Sequence, residues 1–252
     1  MMYESRLRKA ENKDIIYSCQ NGRTEIDMTE LRKPYPSVMR NGFLSYGGSQ
    51  MWSDSAPICK CGCGIVAALD IAIYLKRSYG GGDKMLAGVP CGGPTPLPAY
   101  NELLLSLRKK YFPIIPPLGI NQMILTLGMN RFFHDEHLPF TAHVTMATDK
   151  MWDRIRQSLM NDCPVLLAIG MNFPYVWQKN TVSFYKKQPD ERYTVSVSTK
   201  AHFVVITGMD EQWLRISSWG IQYYVNRNEL AGYIKKYSTS FISGIVYVTE
   251  KK

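Results

Sequence analysis

The clearest pattern of apolar and polar positions begins at Cys63. The run GIVAALDIAIYLKR is apolar at nearly every position and is interrupted once, by Asp70. A segment apolar on nearly all sides predicts a buried helix, here of about three to four turns beginning at Cys63. Three further segments show the helical period: residues 100–111, where Leu103, Leu104 and Leu107 share a face, residues 120–133, and residues 149–161, where Trp152, Ile155 and Leu159 recur three and four positions apart. Between the first two lies SYGGGDKMLAGVPCGGPTPLP, too rich in Gly and Pro to be anything but loop.

After these helices the texture changes. Residues 164–170 (PVLLAIG), 193–198, 202–208 (HFVVITG), 213–217 (WLRIS), 221–225 and 243–249 are short runs rich in β-branched and aromatic residues, bounded by Gly, Asp and Asn. They predict strands, with MDEQ as a hairpin turn between two of them. Helices first and strands later predict an α+β fold, a helical half packed on one side of an antiparallel sheet. The chain reads as one domain over 1–252: an N-terminal extension over about 1–45 with one short strand at 14–19, a mainly helical half over 46–161, and a sheet half over 162–252.

Composition narrows the class. With 45% hydrophobic and 20% charged residues the chain is of ordinary globular character, and no stretch approaches the roughly 18 apolar residues of a membrane span. The start, MMYESRLRKAENKD, has basic residues with no apolar stretch behind them, so a cytoplasmic location is expected and no membrane partner. Lys and Arg outnumber Asp and Glu by 30 to 21. They fall in scattered pairs such as Arg8–Lys9 and Lys235–Lys236, without a helix-turn-helix or an RNA-binding aromatic motif, so nucleic acid is not an expected partner either. Oligomeric state is not legible.

The six cysteines, at positions 19, 59, 61, 63, 91 and 163, are too unevenly spaced for a disulfide scaffold. Structural zinc sites space their thiols by two to four residues, whereas CKCGC alternates; in a strand it would send three thiols to one face with no second pair. No metal and no other cofactor is expected.

Catalysis is the better question. Cys63 opens the buried helix, where unpaired N–H groups and the positive end of the helix dipole favour a thiolate, and Gly64 leaves that turn uncluttered. A lone cysteine beside a buried helix is usually an inert packed thiol, so a base is needed. His202 supplies one: it begins HFVVITG, and the following WLRISSWG brings the end of a hairpin neighbour beside it. It follows Cys63 by about 140 residues, within the roughly 130–150 of the papain type.

Together, KCGCGIVAALDIAIYL, WDRIRQSLMNDCPVLLAIG and AHFVVITGMDEQWLRISSWGIQYYV resemble the papain-like cysteine peptidase superfamily, and are more similar to the bacterial branch with the bacteriocin-leader (double-glycine) peptidases than to papain itself. The resemblance covers about residues 46–79 and 150–249. It implies a papain-like fold and a Cys63–His202 thiolate–imidazolium pair that forms an acyl-enzyme from a peptide or amide substrate. It also implies that the Cys63 N–H and an upstream glutamine, here Gln50, hold the oxyanion. The position that holds Asn in papain, or Asp in many bacterial relatives, and orients the histidine is Ser217, with Trp219 as its shield. A serine hydroxyl accepts a hydrogen bond but brings no charge to steady an imidazolium. Two other outcomes remain open on the same body: a binding module with a weakened site, and an acyltransferase using the same pair. The Gly/Pro-rich loop near 80–98 is expected to border the cleft.

Overall fold

In the computed structural model, which describes residues 28–114 and 119–251, the chain enters through three short strands, β1 (Thr29–Glu30), β2 (Val38–Arg40) and β3 (Phe43–Leu44), and a single 3-10 turn at Gln50–Trp52. Two helices then meet at Gly62: α1 (Ala56–Cys61), with Pro57 in its first turn, and α2 (Cys63–Tyr79). A two-residue strand, β4 (Thr95–Pro96), leads into α3 (Leu97–Lys110), followed by α4 (Gln122–Asp135), β5 (Phe140–Met146) and α5 (Asp149–Met160). The remainder comprises β6 (Val165–Ile169), β7 (Val182–Lys187), β8 (Tyr193–Thr199), β9 (His202–Met209), β10 (Trp213–Ser218), β11 (Ile221–Asn226), α6 (Arg227–Tyr237) and β12 (Gly244–Glu250). The strand expected at 14–19 lies outside the described residues.

The main sheet is antiparallel, in the order β5-β12-β6-β9-β10-β11-β7-β8, with β1 pairing β9 beyond the end of β6. Helix and antiparallel sheet are mixed in an α+β fold. Its central strands explain their own sequences. Along β6 and β9, Leu166 and Val205 belong to the core that also takes in α2, α3 and α4, while Val165, Leu167, Val204 and Ile206 belong to the core that takes in α5 and α6. A strand covered on both faces reads as an unbroken apolar run because neither set of side chains meets water.

This layout corrects three expectations. The sheet does not close one side of a helical half; it has helices on both faces. Phe140–Met146, inside the half expected to be mainly helical and given no element there, is a strand paired along its whole length with β12. The loop near 80–98 sits at the far end of α2 from Cys63, where Lys76 Nζ donates to the Leu86 carbonyl and Arg77 Nε to the Pro90 carbonyl. Lys76 is thirteen helical steps on from Cys63, a rise of about 20 Å, and no residue of the loop lines the cleft at Cys63.

Candidate active site

Gly62 serves as both the C-cap of α1 and the N-cap of α2, which makes Cys63 the first residue of the second helix. The alternating cysteines therefore lie on a helix and a helix start, not on a strand, and Cys59 gives its thiol hydrogen to the Ser53 carbonyl at 2.7 Å. Two effects oppose each other at Cys63. Backbone N–H groups of Phe203 and Gly64 favour the thiolate, but desolvation outweighs them and pushes the thiol up to about 11. Helix-start activation does not win here, because desolvating the charged sulfur costs more than those N–H groups return.

His202 opens β9, one residue after Ala201, whose φ of 54° lies in the left-handed region. Burial alone lowers its imidazole to about 3. Its ring stacks on Trp219, with centroids 4.4 Å apart and planes 19° apart. The β10–β11 hairpin places that tryptophan: Ser218 pairs with Ile221, and the two-residue turn Trp219–Gly220 has φ of 51° and 76°, the doubly left-handed type that suits a twisted hairpin.

The serine beside the histidine is not the expected one. His202 Nε2 lies 2.9 Å from Ser218 Oγ, whereas Ser217 Oγ donates to the Tyr46 carbonyl at 2.8 Å. In the β9–β10 register Ser217 is opposite Val205, on the α2 side of the sheet. One step along a strand changes face, and Ser218 is the serine that meets the ring.

Gln50 sits in the 3-10 turn, buried, with Nε2 donating to the Cys59 carbonyl at 2.8 Å. Its second amide hydrogen is uncommitted. The segment leading to it is held by Asp70, the polar break in the apolar run 64–75 of α2: the Gly48 N–H lies 3.0 and 3.2 Å from the two carboxylate oxygens, and Tyr100 and Tyr35 donate their hydroxyls at 2.7 and 3.3 Å. Burial raises this carboxyl to about 6 against those hydrogen bonds. Asp70 and Ser218 are the two site residues that sequence reasoning did not select. Asp70 was visible as an interruption; Ser218 required the strand register.

Cys63, His202 and Gln50 all line one cleft of about 550 Å³, whose walls are largely apolar, with Met123, Met146, Met171 and Phe241 among them. No hydrogen bond joins Cys63 to His202 among the described residues. The arrangement nonetheless offers a sulfur, an imidazole and amide donors to a molecule in one space.

No family model matches the sequence, and no curated protein matches it. Among solved structures, one from Bacillus anthracis described as a "putative C39-like peptidase" is 13% identical, covering 76% of this chain and 90% of that one, with a TM-score of 0.38. A likeness this distant assigns the chain neither family nor activity. Among the described residues, no helix is long and apolar enough to cross a membrane.

Proposed function

We propose that the protein is a papain-like cysteine hydrolase that cleaves a peptide or amide bond. The observation that carries this reading is the sharing of one cleft by Cys63, at the first position of a helix, and His202, at the first position of a central strand. Both groups rest neutral, so the proton moves during the reaction. As a substrate carbonyl approaches, the Cys63 S–H bond breaks, the imidazole nitrogen Nδ1 takes the proton, and sulfur bonds to the carbonyl carbon. The Cys63 N–H, unpaired within the helix, and the free Gln50 amide hydrogen face the developing oxyanion. Collapse expels the amine with the proton from His202, and water then cleaves the thioester.

The test is labelling by a peptidyl vinyl sulfone bearing apolar side chains, read by intact mass and peptide mapping. Preferential modification of Cys63 over the exposed Cys91, lost in His202→Ala, is the expected result. Equal labelling of the two cysteines, or labelling indifferent to His202, removes the proposal.

A second reading has its own observation. The neutral resting forms and the missing sulfur–imidazole bond favour a binding module that keeps the cleft without turnover. Reversible binding of apolar peptides with no adduct at Cys63 is its signature.

A further inference from the structure

Among the described residues that line the cleft with Cys63 and His202, Lys60 alone carries a permanent charge, and no Asp or Glu is among them. Lys60 lies in the last turn of α1, three residues ahead of Cys63 across the Gly62 junction. It is exposed and belongs to none of the ion pairs among the described residues. Asp54, the nearest carboxylate along the chain, is absent from the cleft wall and bears on Cys59. Nor is the ammonium committed to the nucleophile: the main influences on the Cys63 thiol are desolvation and the N–H groups of Phe203 and Gly64. A cation at the cleft is therefore left for a ligand.

The rest of the wall has the opposite character. Met123, Met146, Met171 and Phe241 are each between 39% and 65% exposed, a concentration of large apolar side chains that marks a binding surface. Methionine is unbranched and adapts its shape, so this wall rewards apolar bulk more than a particular outline. Discrimination between peptides of similar bulk then falls to charge: a carboxylate meets an unpaired cation and no repelling acid, whereas an ammonium meets only like charge. The net charge of +9 adds a field of the same sign over the whole molecule, which draws anions toward it.

We infer that the substrate is a peptide presenting a bulky apolar side chain to the methionine wall and a carboxylate to Lys60, and that Lys60 is a specificity-determining residue of this site. The inference rests on the hydrolase reading of Cys63 and His202. Residues of an extended chain are about 3.3 Å apart, and Lys60 is three positions from the nucleophile, so the carboxylate belongs close to the scissile bond. A lysine is a flexible point charge without the fixed fork of arginine, so it selects for negative charge and accepts Asp and Glu alike.

The test uses the full chain at neutral pH and two series of apolar peptidyl vinyl sulfones. One series carries Glu, Gln or Lys beside the residue that bears the vinyl group; the other carries the charge beyond it, as a carboxyphenyl, carbamoylphenyl or aminomethylphenyl sulfone. The two series distinguish a carboxylate ahead of the scissile bond from one after it. Rates of Cys63 modification are read by intact mass with peptide mapping. In one series the carboxylate probe should label about threefold faster than its neutral counterpart, the size of an exposed ion pair, and the cationic probe should be slowest. Raising salt from about 0.05 to about 0.5 M should shrink the difference. The carboxylate-to-neutral ratio should fall to about one in Lys60→Gln and below one in Lys60→Glu. No carboxylate preference in either series, or a preference that survives Lys60→Glu, overturns the inference; if labelling of Cys63 still depends on His202, the hydrolase reading stands without it. The saturated ethyl sulfones of the same peptides cannot react, and their affinities for wild type and Lys60→Glu should follow the same order. If no probe labels Cys63, the hydrolase reading fails and those affinities decide the role of Lys60.

Discussion

His202 Nε2 and Ser218 Oγ meet at 2.9 Å inside the protein, and the adjacent Ser217 serves a different task, tying β10 to the Tyr46 carbonyl. The two serines therefore separate by mutation. Ser218→Ala leaves a buried ring nitrogen without a partner, costing about 1–3 kcal/mol, and slows vinyl sulfone labelling of Cys63 about tenfold. Ser217→Ala costs stability of about 1 kcal/mol by the same reasoning and slows labelling less. Urea midpoints and labelling rates on both variants check this; the reverse ranking of rates would return the orienting role to Ser217.

Small electrophiles should avoid the site. With the Cys63 thiol pushed up to about 11, about one molecule in a thousand carries a thiolate at pH 8. Iodoacetamide at that pH is expected to modify the exposed Cys91 while Cys63 and the buried Cys163, also raised to about 11, stay largely intact. Peptide mapping over a time course reads the order.

Two buried groups pull the pH dependence of stability in opposite directions. His202 titrates near 3 when folded against an ordinary 6.5, so between those values the unfolded chain holds the extra proton and stability rises with pH. Asp70 titrates near 6 when folded against 3.8, so across that window the folded protein holds the extra proton and stability falls as pH rises. In wild type the two largely cancel from about pH 4 to 6. Asp70→Asn unmasks the histidine, steepening the rise with pH by up to about 1.4 kcal/mol per unit. His202→Gln unmasks the aspartate, with the opposite sign. Urea midpoints measured across pH 4–6.5 distinguish the slopes.

Gly48 is fixed by contact. A Cβ there would fall 2.0 Å from the Tyr100 hydroxyl, which is bound to Asp70. Gly48→Ala should cost about 3 kcal/mol or more, since the ring cannot move without breaking that bond. Gly88, with nothing within 4 Å of its added Cβ, is the control: Gly88→Ala should stay within about 0.5 kcal/mol.

The sequence carried the parts of this structure that depend on local pattern. α2, β6 and β9 were legible because burial on every side leaves apolar runs with hardly a break, Asp70 in α2 being the exception. α6 escaped notice since RNELAGYIKKY shows few apolar positions, although Asn226, which caps it through Asn228 and Glu229 N–H groups, and Glu229 three residues later form a start signal. β5 was passed over for a different reason: its alternating FTAHVTM lies between two helical segments, in a stretch that the sequence reading left without an element. The choice between Ser217 and Ser218 was beyond local pattern, because it depends on where β10 pairs along β9. Asp70 was beyond it too, as its partners Gly48 and Tyr100 lie 22 and 30 positions away.

The strand that begins with His202 has neighbours on both sides, β6 and β10, and apolar cover on both faces. Its amides between Val204 and Ile206 should be among the last in the protein to exchange with deuterium, opening only when the whole molecule does. Any breathing that admits a reactant must then come from the methionine- and phenylalanine-bearing rim, above a base mounted on the most durable part of the chain.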